Sequence, residues 1–473
     1  MPSSQTLAKD SAGHSASALL MAAPAQSMSA WGGFPRAVTY PVQPGTVEEM
    51  VDLVRSPQVD SLIARGMGRS YGDASICPEG ATLLTGRCNG VISFDAGTGV
   101  LHCQAGMTIR EIVERFLPLG WFPAFTPGTK HVTVGGAIAC DVHGKNHRRD
   151  GSLSAFIEGF TLALPSGQRI WCSRGSESDL FWATVGGMGL TGVICDARIA
   201  LRRVQTAYLV ERRARTGSLD EMLATLHEHA CRSTYSMAWL DLLSPDRRGE
   251  RGVVFAGDHA GLEDLPAARR RAPLETGSQL QLDLPLSCLS FLMNRTTLRL
   301  FNQLVLAAGA AGSVPHLVDC ESFFFKLDCL KGWNRIYGPR GFVQYQCVFP
   351  EESSGRAIRR LLKLIREHDQ VVSLATLKLL GEQSGLISFP LKGYTIMLDF
   401  PFNARLLPFL DLLDQLVTAY GGRVNLSKDS RLGPEAFRAM YPLYPRWLAV
   451  KQKVDPGNKL SSALSRRLLM HQL

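Results

Sequence analysis

Three glycine-rich segments contain the residues best suited to binding a ligand through the main chain. The first is R-G-M-G-R-S-Y-G-D at residues 65–73, the second is P-G-T-K-H-V-T-V-G-G-A-I-A-C-D-V-H-G-K-N-H at residues 127–147, and the third is G-G-M-G-L-T-G at residues 186–192. Glycines allow backbone N–H groups to point into one concavity, and small residues let a flat ring or a pyrophosphate approach the chain closely. The segments therefore predict a dinucleotide site.

The third segment contains a formal G-x-G-x-x-G at Gly187, Gly189 and Gly192. A strand-like run, residues 193–201, follows these glycines instead of preceding them, so the order does not fit a nicotinamide-binding fingerprint. If the run is a strand, Val193 and Cys195 share one face and could line a cofactor groove.

A metal site is not expected in the second segment. His143 and His147 are four residues apart, but the glutamate of an H-E-x-x-H helix is missing and Gly144 opposes helix formation. We predict that no metal binds here.

Two helices that flank the first glycine segment have the same start signal. Thr46 is followed by Glu49, and Thr108 by Glu111, which is the pattern of a capping box ahead of an apolar helical face. Short β-like runs lie between and after these helices, so residues 31–205 are predicted to form one α+β domain. Residues 206–425 mix strand-like and helical segments and are predicted to form a separate substrate domain.

Composition and charge restrict the class of protein. The 473 residues are 45% apolar, which is enough for two packed domains, and the eleven cysteines form no C-x-x-C pair, which favours reduced thiols in the cytoplasm. The net charge of +9 favours anionic partners, but the arginines form short separate clusters, so we expect phosphate groups or anionic lipid headgroups and no nucleic acid.

Two other segments allow more than one interpretation. Residues 1–30 are rich in Ala and Ser and are predicted to be a disordered tail. Residues 284–309 are unusually apolar but are interrupted by Arg295 and Arg299, so they form either a core helix or a flap that touches a membrane. No run of about 18 apolar residues predicts a membrane span.

The three glycine segments, in this order, resemble the FAD-binding domain of the vanillyl-alcohol oxidase (PCMH-type) flavoprotein superfamily. The resemblance implies an α+β fold of two domains, an FAD-binding domain and an antiparallel-sheet substrate domain, with residues 426–473 returning to the FAD domain. Many members attach the flavin to a histidine that follows R-G-x-G, but this chain has Arg69 there. We therefore expect non-covalent FAD.

Together with N-L-S-K-D-S-R at residues 425–431, these segments resemble the branch of the superfamily that oxidises polyprenyl-phosphoryl ribose. The resemblance implies oxidation of the 2′-hydroxyl to a 2′-keto sugar, which is the first half of an epimerisation to the arabinose form. It also implies a separate short-chain NADH-dependent reductase as partner. The lipid-linked sugar phosphate implies peripheral contact with the membrane, at its inner face in the cytoplasm.

The same resemblance assigns residues to the cofactor. Mapped by motif, the FAD-binding residues are Ala64, Arg65, Gly66, Met67, Gly68, Arg69, Ser70, Tyr71, Gly72, Asp73, Ala74, Gly128, Thr133, Val134, Gly135, Gly136, His143, Lys145, Val193, Cys195, Asn425 and Lys428.

The second region is expected to build the substrate side of the site. The resemblance places Trp239, Tyr337, Gln344, Gln346, Lys378, Thr395 and Met397 there, with Lys428, Lys378, Gln346 and Tyr71 as catalytic candidates. Lysines suit a reaction in which a reduced flavin and a sugar phosphate both carry negative charge. Lys428 is expected closest to the reacting groups, either as the proton acceptor or as an electrostatic partner. Without the resemblance, Trp239 and Tyr337 would be interpreted as core aromatics.

Three departures from the family pattern affect the expected fit of the substrate. Met397 stands where mycobacterial relatives have a cysteine, Thr395 where an asparagine is usual, and Asn425 where a tyrosine is expected. Three alternatives stay open. One is an aldonolactone or alditol oxidase, although the H-W-G-K motif of those enzymes is missing here, and another is an FAD-binding assembly protein without catalysis. The third is a membrane-surface scaffold that uses residues 284–309.

Overall fold

The computed structural model describes residues 16–244, 250–277, 282–283, 286–310 and 314–472. Within them, the first small sheet contains β1 (Gln26–Ser29), β2 (Arg36–Val42), β3 (Leu62–Arg65) and β4 (Ala81–Leu84), in the order β1-β2-β4-β3. Strand β4 is parallel to both of its neighbours, and β1 is antiparallel to β2. Parallel pairing requires crossover connections: the capped helix that starts after Thr46 lies between β2 and β3, whereas residues 66–80 connect β3 to β4 without a helix.

The prediction of a disordered tail over residues 1–30 is wrong for residues 16–30. They form a short helix and strand β1, whose Met28 pairs with Ala37 of β2, and the Arg65 guanidinium donates to the Ser29 carbonyl at 2.8 Å. Composition suggested disorder, but the free edge of β2 gives this segment backbone partners. Residues 1–15 of the predicted tail lie outside the described residues.

The second sheet lies behind the first and is antiparallel. It contains β5 (Val91–Asp95), β6 (Val100–Gln104), β7 (Trp121–Pro123), β8 (Ile157–Ala163), β9 (Arg169–Ser173) and β10 (Val193–Arg203), in the order β5-β6-β10-β8-β9 with β7 also on β10. The strand predicted over residues 193–201 is confirmed as part of β10.

The third sheet has eight strands among the described residues. These are β11 (Tyr208–Thr216), β12 (Tyr235–Asp241), β13 (Arg251–His259), β14 (His316–Asp319), β15 (Phe342–Pro350), β16 (Leu374–Leu380), β17 (Gly393–Pro401) and β18 (Arg423–Val424), in the order β14-β11-β13-β12-β16-β17-β15-β18. The boundary predicted near residue 205 falls between the end of β10 and the start of β11.

Helices pack around and between these sheets. The α-helices within the described residues are α1 (Ala16–Met21), α2 (Val47–Arg55), α3 (Ile109–Phe116), α4 (Val134–Ala139), α5 (His147–Asp150), α6 (Ser178–Thr184), α7 (Leu219–Arg232), α8 (Arg295–Ala310), α9 (Cys320–Phe324), α10 (Glu351–Glu367), α11 (Leu406–Ala419), α12 (Pro434–Met440), α13 (Tyr444–Val454) and α14 (Ala463–Arg467). The start signals are confirmed: Thr46 caps α2, and Thr108 forms a full capping box with Glu111 at α3.

The hydrophobic core is continuous across the predicted domain boundary. Helices α7, α10 and α11 cover one face of the third sheet, and the same apolar cluster includes Ile63 and Met188 of the glycine-rich region. The C-terminal segment joins this cluster through Trp447, whose indole N–H donates to the Ala183 carbonyl at 2.9 Å. The two regions are therefore packed together; α8 covers part of the other face of the third sheet, and the part formed by β15, β16 and β17 is turned toward the glycine segments.

The apolar segment predicted as either a core helix or a membrane-touching flap includes α8, which packs on the third sheet. Leu298, Asn302 and Leu306 on one side of α8 are buried, and Leu306 packs on Trp239. Residues 284–285 lie outside the described residues. None of the helices that the structure describes is both long enough and apolar enough to cross a bilayer.

Candidate active site

A cavity of about 270 Å³ lies between the glycine segments and the face of the third sheet opposite α7, α10 and α11. One wall, the glycine wall, is made largely of main chain and includes Gly66, Gly68, Gly128, Gly135, Gly136, Gly189 and Gly192. The opposite wall, the sheet wall, is made of side chains from β15, β16 and β17, namely Gln344, Gln346, Leu374, Lys378, Met397 and Asp399.

Glycine is required on the first wall for two different reasons. A Cβ on Gly66 would lie 2.2 Å from Thr133 Oγ1, so this glycine allows the first and second segments to touch. A Cβ on Gly128 would meet no atom within 4 Å, so this glycine leaves open space for a ligand. Backbone that is both close-packed and open to a cavity fits a flat ring joined to a diphosphate.

The sheet wall follows from strand alternation. Residues two apart on one strand share a face, so Gln344 and Gln346 on β15 lie beside Asp399 and Met397 on β17. Thr395, the next residue on this face of β17, pairs with Lys378 on β16. The intervening residues of these strands face the helices and belong to the apolar core.

At one end of the sheet wall, the Gln344 side chain connects two charged groups. Its Nε2 donates to Asp399 Oδ1 at 2.7 Å, and its Oε1 accepts from Lys428 Nζ. Lys428 Nζ also lies 4.0 Å from the centroid of the Tyr71 ring, which is a cation–π contact. Burial lowers the pKa of Lys428 and raises the pKa of Asp399, because each group is removed from water.

At the other end, amide side chains hold the half-buried His143 ring. Gln346 Nε2 donates to His143 Nε2 at 3.0 Å, and Gln346 Oε1 accepts from Asn425 Nδ2 at 3.0 Å. Burial, with Lys378 nearby, lowers the pKa of His143 well below its usual range. The ring is therefore neutral near pH 7, with Nε2 as the acceptor.

Lys378 differs from Lys428 in having no hydrogen-bond or ion-pair partner among the described residues. Burial lowers the pKa of Lys378 to about 8. A lysine with this pKa still carries a positive charge on most molecules at pH 7. It therefore makes this end of the cavity attractive to an anionic group.

A third group of contacts joins the two walls at the Lys428 end. The Tyr71 N–H donates to the Ser427 carbonyl at 3.0 Å, and a Cβ on Gly72 would lie 1.6 Å from the Asp429 carbonyl oxygen. The Arg467 guanidinium of α14 forms two hydrogen bonds to Asp73, at 2.8 and 3.1 Å, and an ion pair with Asp429 at 2.9 Å. The position of Lys428 is thus fixed against the first glycine segment.

The structure brings most of the predicted site residues to one cavity. Those on its walls are Ala64, Gly66, Met67, Gly68, Arg69, Ser70, Tyr71, Ala74, Gly128, Thr133, Gly135, Gly136, His143, Gln344, Gln346, Lys378, Met397, Asn425 and Lys428.

Several residues predicted to bind the cofactor do not line the cavity and instead pack in the core or contact other protein groups. Val193 and Cys195 do share a face of β10, but that face lies in the core of the first sheet, and Ile194 between them reaches the cavity. Val134 is also buried in a core. The remaining ones bind other protein groups: Arg65 the Ser29 carbonyl, Asp73 the Arg467 guanidinium, and Gly72 contacts residue 429.

Four other predicted site residues do not line the cavity either: Lys145, predicted to bind the cofactor, and Trp239, Tyr337 and Thr395, predicted for the substrate side. Trp239 packs on Val253 and Leu306 beneath α8. Tyr337 donates to or accepts from Ser373 at 2.7 Å and stacks on Phe342. The Lys145 ammonium donates to the Phe323 carbonyl and lies over the Phe323 ring, and Thr395 donates to the Cys347 carbonyl at 2.8 Å. Trp239 is buried in an apolar cluster, whereas Tyr337 is half-buried and close to Asp399, so a role for either residue in substrate binding stays a prediction.

The sequence prediction missed four residues that matter at the site. Asp399 is an acidic residue in the otherwise apolar run Y-T-I-M-L-D-F, which is a usable signal. Trp31 and Trp333 also line the cavity, and the Arg69 guanidinium lies 4.0 Å from the Trp31 ring. Arg467 gives no such signal, since S-R-R reads as an exposed helix end.

Two observations concern the possibility of a metal site at His143 and His147. Within the ranges that the structure describes, no group of three or more His, Cys, Asp or Glu side chains is arranged to hold a metal ion. His143 and His147 have ring centroids 6.2 Å apart, and His147 Nδ1 accepts from the Gly381 N–H at 3.1 Å.

Comparisons with known proteins agree with this site. A family model described as an FAD binding domain matches residues 35–173. The chain is 37% identical over 412 residues to the decaprenylphosphoryl-β-D-ribose oxidase of Mycolicibacterium smegmatis, which covers 86% of this chain and 89% of the relative. It is 23% identical over 458 residues to the L-gulonolactone oxidase of Mus musculus, with 92% and 96% covered. Cytokinin dehydrogenase 7 of Oryza sativa subsp. japonica is 29% identical over 173 residues, 35% of this chain and 33% of that protein.

The fold, the glycine wall and the matched domain define an FAD-dependent oxidoreductase of the PCMH-type flavoprotein superfamily. Within that superfamily, the chain belongs to the decaprenylphosphoryl-β-D-ribose oxidase family.

Proposed function

We propose that this enzyme oxidises the 2′-hydroxyl of a polyprenyl-phosphoryl ribose to the 2′-keto sugar, which is the first half of epimerisation to the arabinose form. The family relative acts on a lipid-linked ribose by its name, and the similarity extends over most of both chains. The observation on which the proposal rests most is the pair of half-buried lysines that line the cavity, Lys378 on the sheet wall and Lys428 beside its opposite end.

The two lysines suit different parts of such a substrate. Lys378 has no partner among the described residues, so it is available to the phosphate of the lipid-linked sugar. Lys428 is held by Gln344 and Tyr71, so it provides a fixed positive charge where negative charge develops. A cavity with both cations favours a sugar phosphate over a neutral polyol.

FAD, when bound, supplies the ring that takes up the hydride. The glycine wall would hold the pyrophosphate and the ring through Gly66, Gly68, Gly128, Gly135 and Gly136. The residues of the sheet wall orient the sugar: Gln346 is fixed by His143 and Asn425, so its position does not depend on the ligand. Trp31 and Trp333 restrict access of water from the side of the cavity where they lie.

The lipid part of the substrate implies contact with a membrane, and α8 provides a suitable surface. Leu300, Phe301 and Leu304 are 64, 52 and 63% exposed on one side of this helix, while Leu306 anchors the other side. The net charge of +9 attracts anionic headgroups to the protein. We therefore place the enzyme in the cytoplasm at the inner face of the membrane, with a separate short-chain NADH-dependent reductase completing the epimerisation.

An anaerobic titration tests the reaction. The purified holoenzyme is mixed with farnesyl-phosphoryl-β-D-ribofuranose, and the flavin absorbance is followed. Bleaching supports the proposal, and acid precipitation should then release FAD into the supernatant. Bleaching by L-gulono-lactone or xylitol but not by the lipid-linked ribose would favour the aldonolactone or alditol oxidase, to which the similarity to L-gulonolactone oxidase also points. No bleaching by any of them would favour an assembly protein.

Vesicle flotation tests the membrane contact. Wild type should float with vesicles of anionic phospholipid, and Leu304→Glu should float much less because a charge would enter the apolar side of α8. Ile92→Glu is the matched control, since Ile92 is 50% exposed on β5, away from this helix. Equal flotation of both variants and wild type would contradict the assignment of α8.

A further inference from the structure

Asp399 is a fully buried carboxylate on the sheet wall, and its two oxygens have different surroundings. Oδ1 accepts from Gln344 Nε2 at 2.7 Å. Oδ2 is buried and has no hydrogen-bond partner among the described residues. A buried carboxylate oxygen without a donor is unfavourable, so its presence in a ligand cavity points to a donor on the ligand. A sugar hydroxyl is such a donor.

Two other titratable groups on the walls, Lys428 and His143, are engaged with protein partners. Lys428 Nζ donates to Gln344 Oε1 and faces the Tyr71 ring, and both contacts favour the ammonium form, which has no lone pair; the Asp399 carboxylate also opposes the lowering of the Lys428 pKa by burial. His143 Nε2 already accepts from Gln346. Asp399 Oδ2 is therefore the free acceptor at the Lys428 end of the wall.

We propose that Asp399 is a catalytic residue: its Oδ2 accepts the hydrogen bond of the hydroxyl being oxidised and then takes its proton. This inference rests on the proposed function. The O–H bond breaks with the proton moving to Oδ2, the C–H bond breaks with its electron pair moving to FAD, and the C–O bond becomes a carbonyl. The carboxylate becomes a carboxylic acid, which later releases the proton to solvent.

Lys428 has a defined part in the same step. Gln344 joins its ammonium to Asp399, so the cation stays beside the carboxylate and the reacting oxygen while the proton moves. A fixed cation there stabilises negative charge on the substrate oxygen and on the reduced ring. Lys428 acts as an electrostatic partner in this arrangement and keeps its own proton.

The surroundings of Asp399 make its carboxylate a better base than an exposed one. Burial raises its pKa, and Lys428 opposes the increase. Two other titratable groups face it, Tyr71 and Tyr337, and burial raises the pKa of both phenols, so they stay neutral in the working range. Lys378 pairs with Thr395, four residues along β17, which is about 13 Å away.

The rate of flavin reduction by farnesyl-phosphoryl ribose, measured in the absence of oxygen from about pH 5 to about pH 9, tests the proposal. In wild type the rate should increase with pH as Asp399 loses its proton and decrease at high pH as Lys428 loses its own. Asp399→Asn, with FAD content unchanged, should react at least about 100-fold more slowly and lose the rise on the acid side. Lys428→Met should keep that rise and lose the high-pH decrease.

The opposite pattern would overturn the inference. If Asp399→Asn reacts within about threefold of wild type, or if Lys428→Met is the variant that loses the acid-side rise, Asp399 is not the acceptor. Should Asp399→Asn not fold, Asp399→Ala replaces it in the same comparison. If wild type is not bleached by the lipid-linked ribose but is by xylitol or L-gulono-lactone, the proposed substrate fails, and the same variants are then compared with that alcohol.

A second measurement does not depend on turnover. Infrared spectra of the holoenzyme are recorded during a pH titration without substrate, and the Asp399→Asn spectrum is subtracted from that of wild type. A protonated-carboxyl band that persists above the usual aspartate range supports the raised pKa of Asp399. A difference spectrum that titrates like an ordinary exposed aspartate would contradict the inference even if the variant is slow.

Discussion

The two walls of the cavity differ in the chemical groups that they present to a ligand. The glycine wall presents main chain at its glycines together with side chains such as Tyr71 and His143, whereas the sheet wall presents two amides, a carboxylate and a lysine on alternate positions of three strands. A wall of main chain binds what is common to every flavoenzyme of this kind, and a wall of side chains selects the substrate and moves protons. Binding of the cofactor and chemistry on the substrate should therefore respond to different substitutions.

Substituting Gly72 by alanine should have the largest effect, because it affects the joint between the walls. Its Cβ would lie 1.6 Å from the Asp429 carbonyl oxygen, a main-chain atom that cannot move without displacing Lys428. We expect a loss of about 3 kcal/mol or more of unfolding free energy and little bound FAD. Thermal unfolding and the flavin-to-protein absorbance ratio measure this.

Gly433→Ala is the control for that experiment, since a Cβ there meets no atom within 4 Å and the residue has an extended backbone. Equal stability of the two variants would mean that the first glycine segment and the Lys428 loop are not in contact as the structure has them.

Substituting Lys428 by methionine should reduce catalysis without reducing cofactor binding. Its ammonium contacts Gln344 of the sheet wall and the Tyr71 ring, and it makes no hydrogen bond to a glycine among the described residues, so FAD content should stay near that of wild type. The rate of flavin reduction by substrate should decrease by about 10²- to 10³-fold, the effect typical of removing one group that stabilises developing charge. Lys453→Met, at an exposed position of α13, should leave the rate unchanged. A variant that loses FAD as well would assign Lys428 to the cofactor.

The sequence predicted the glycine wall better than the sheet wall, for a physical reason. Main-chain binding needs consecutive small residues, so all three glycine segments could be recognised in the sequence and all three contribute to the cavity. Side chains of a sheet wall come from strands far apart in the chain, and only the folded register brings Gln344, Asp399 and Lys428 together. The resemblance supplied Lys428 but not Asp399.

Other residues show where local patterns mislead. Trp239 lies in a segment similar to the family's substrate region, yet it packs beneath α8, since an aromatic on a buried strand fits a core and a pocket equally well. Residues 16–30 looked disordered by composition but pair with β2. The division of the chain near residue 205 stays a prediction, because the apolar core is continuous across it.

Arg467 should affect both walls, but less than either change above. It pairs with Asp73 on the glycine side and with Asp429 next to Lys428, and it lies more than 390 residues from Asp73 in the chain. Arg467→Met would leave two buried carboxylates without their cation, so we expect about 2 kcal/mol lower stability and about tenfold weaker FAD binding. Arg466→Met, on the neighbouring exposed arginine, is the control.

The rate of flavin reduction at saturating FAD shows whether Arg467 positions Lys428 or only stabilises the fold. If Arg467 positions Lys428, this rate should decrease several-fold even when every molecule carries the cofactor. A variant that is only less stable, with a wild-type rate once loaded, would show that Arg467 supports the fold without orienting the lysine.

Substituting Met397 by cysteine should have the smallest effect on oxidation and still reveal the position of this side chain. Met397 lines the cavity between Gln346 and Thr376 and has no group that could donate or accept a proton, so a smaller apolar side chain should keep the rate within about threefold. The new thiol, however, should make the enzyme sensitive to a small alkylating reagent that enters the cavity. The comparison is best made in a Cys140→Ala background, because Cys140 also lines the cavity, although burial raises the pKa of its thiol to about 11. Inactivation of the Met397→Cys enzyme by the reagent, with protection by substrate, would place this residue on the substrate side of the sheet wall; equal sensitivity of both enzymes would place it out of reach of the ligand.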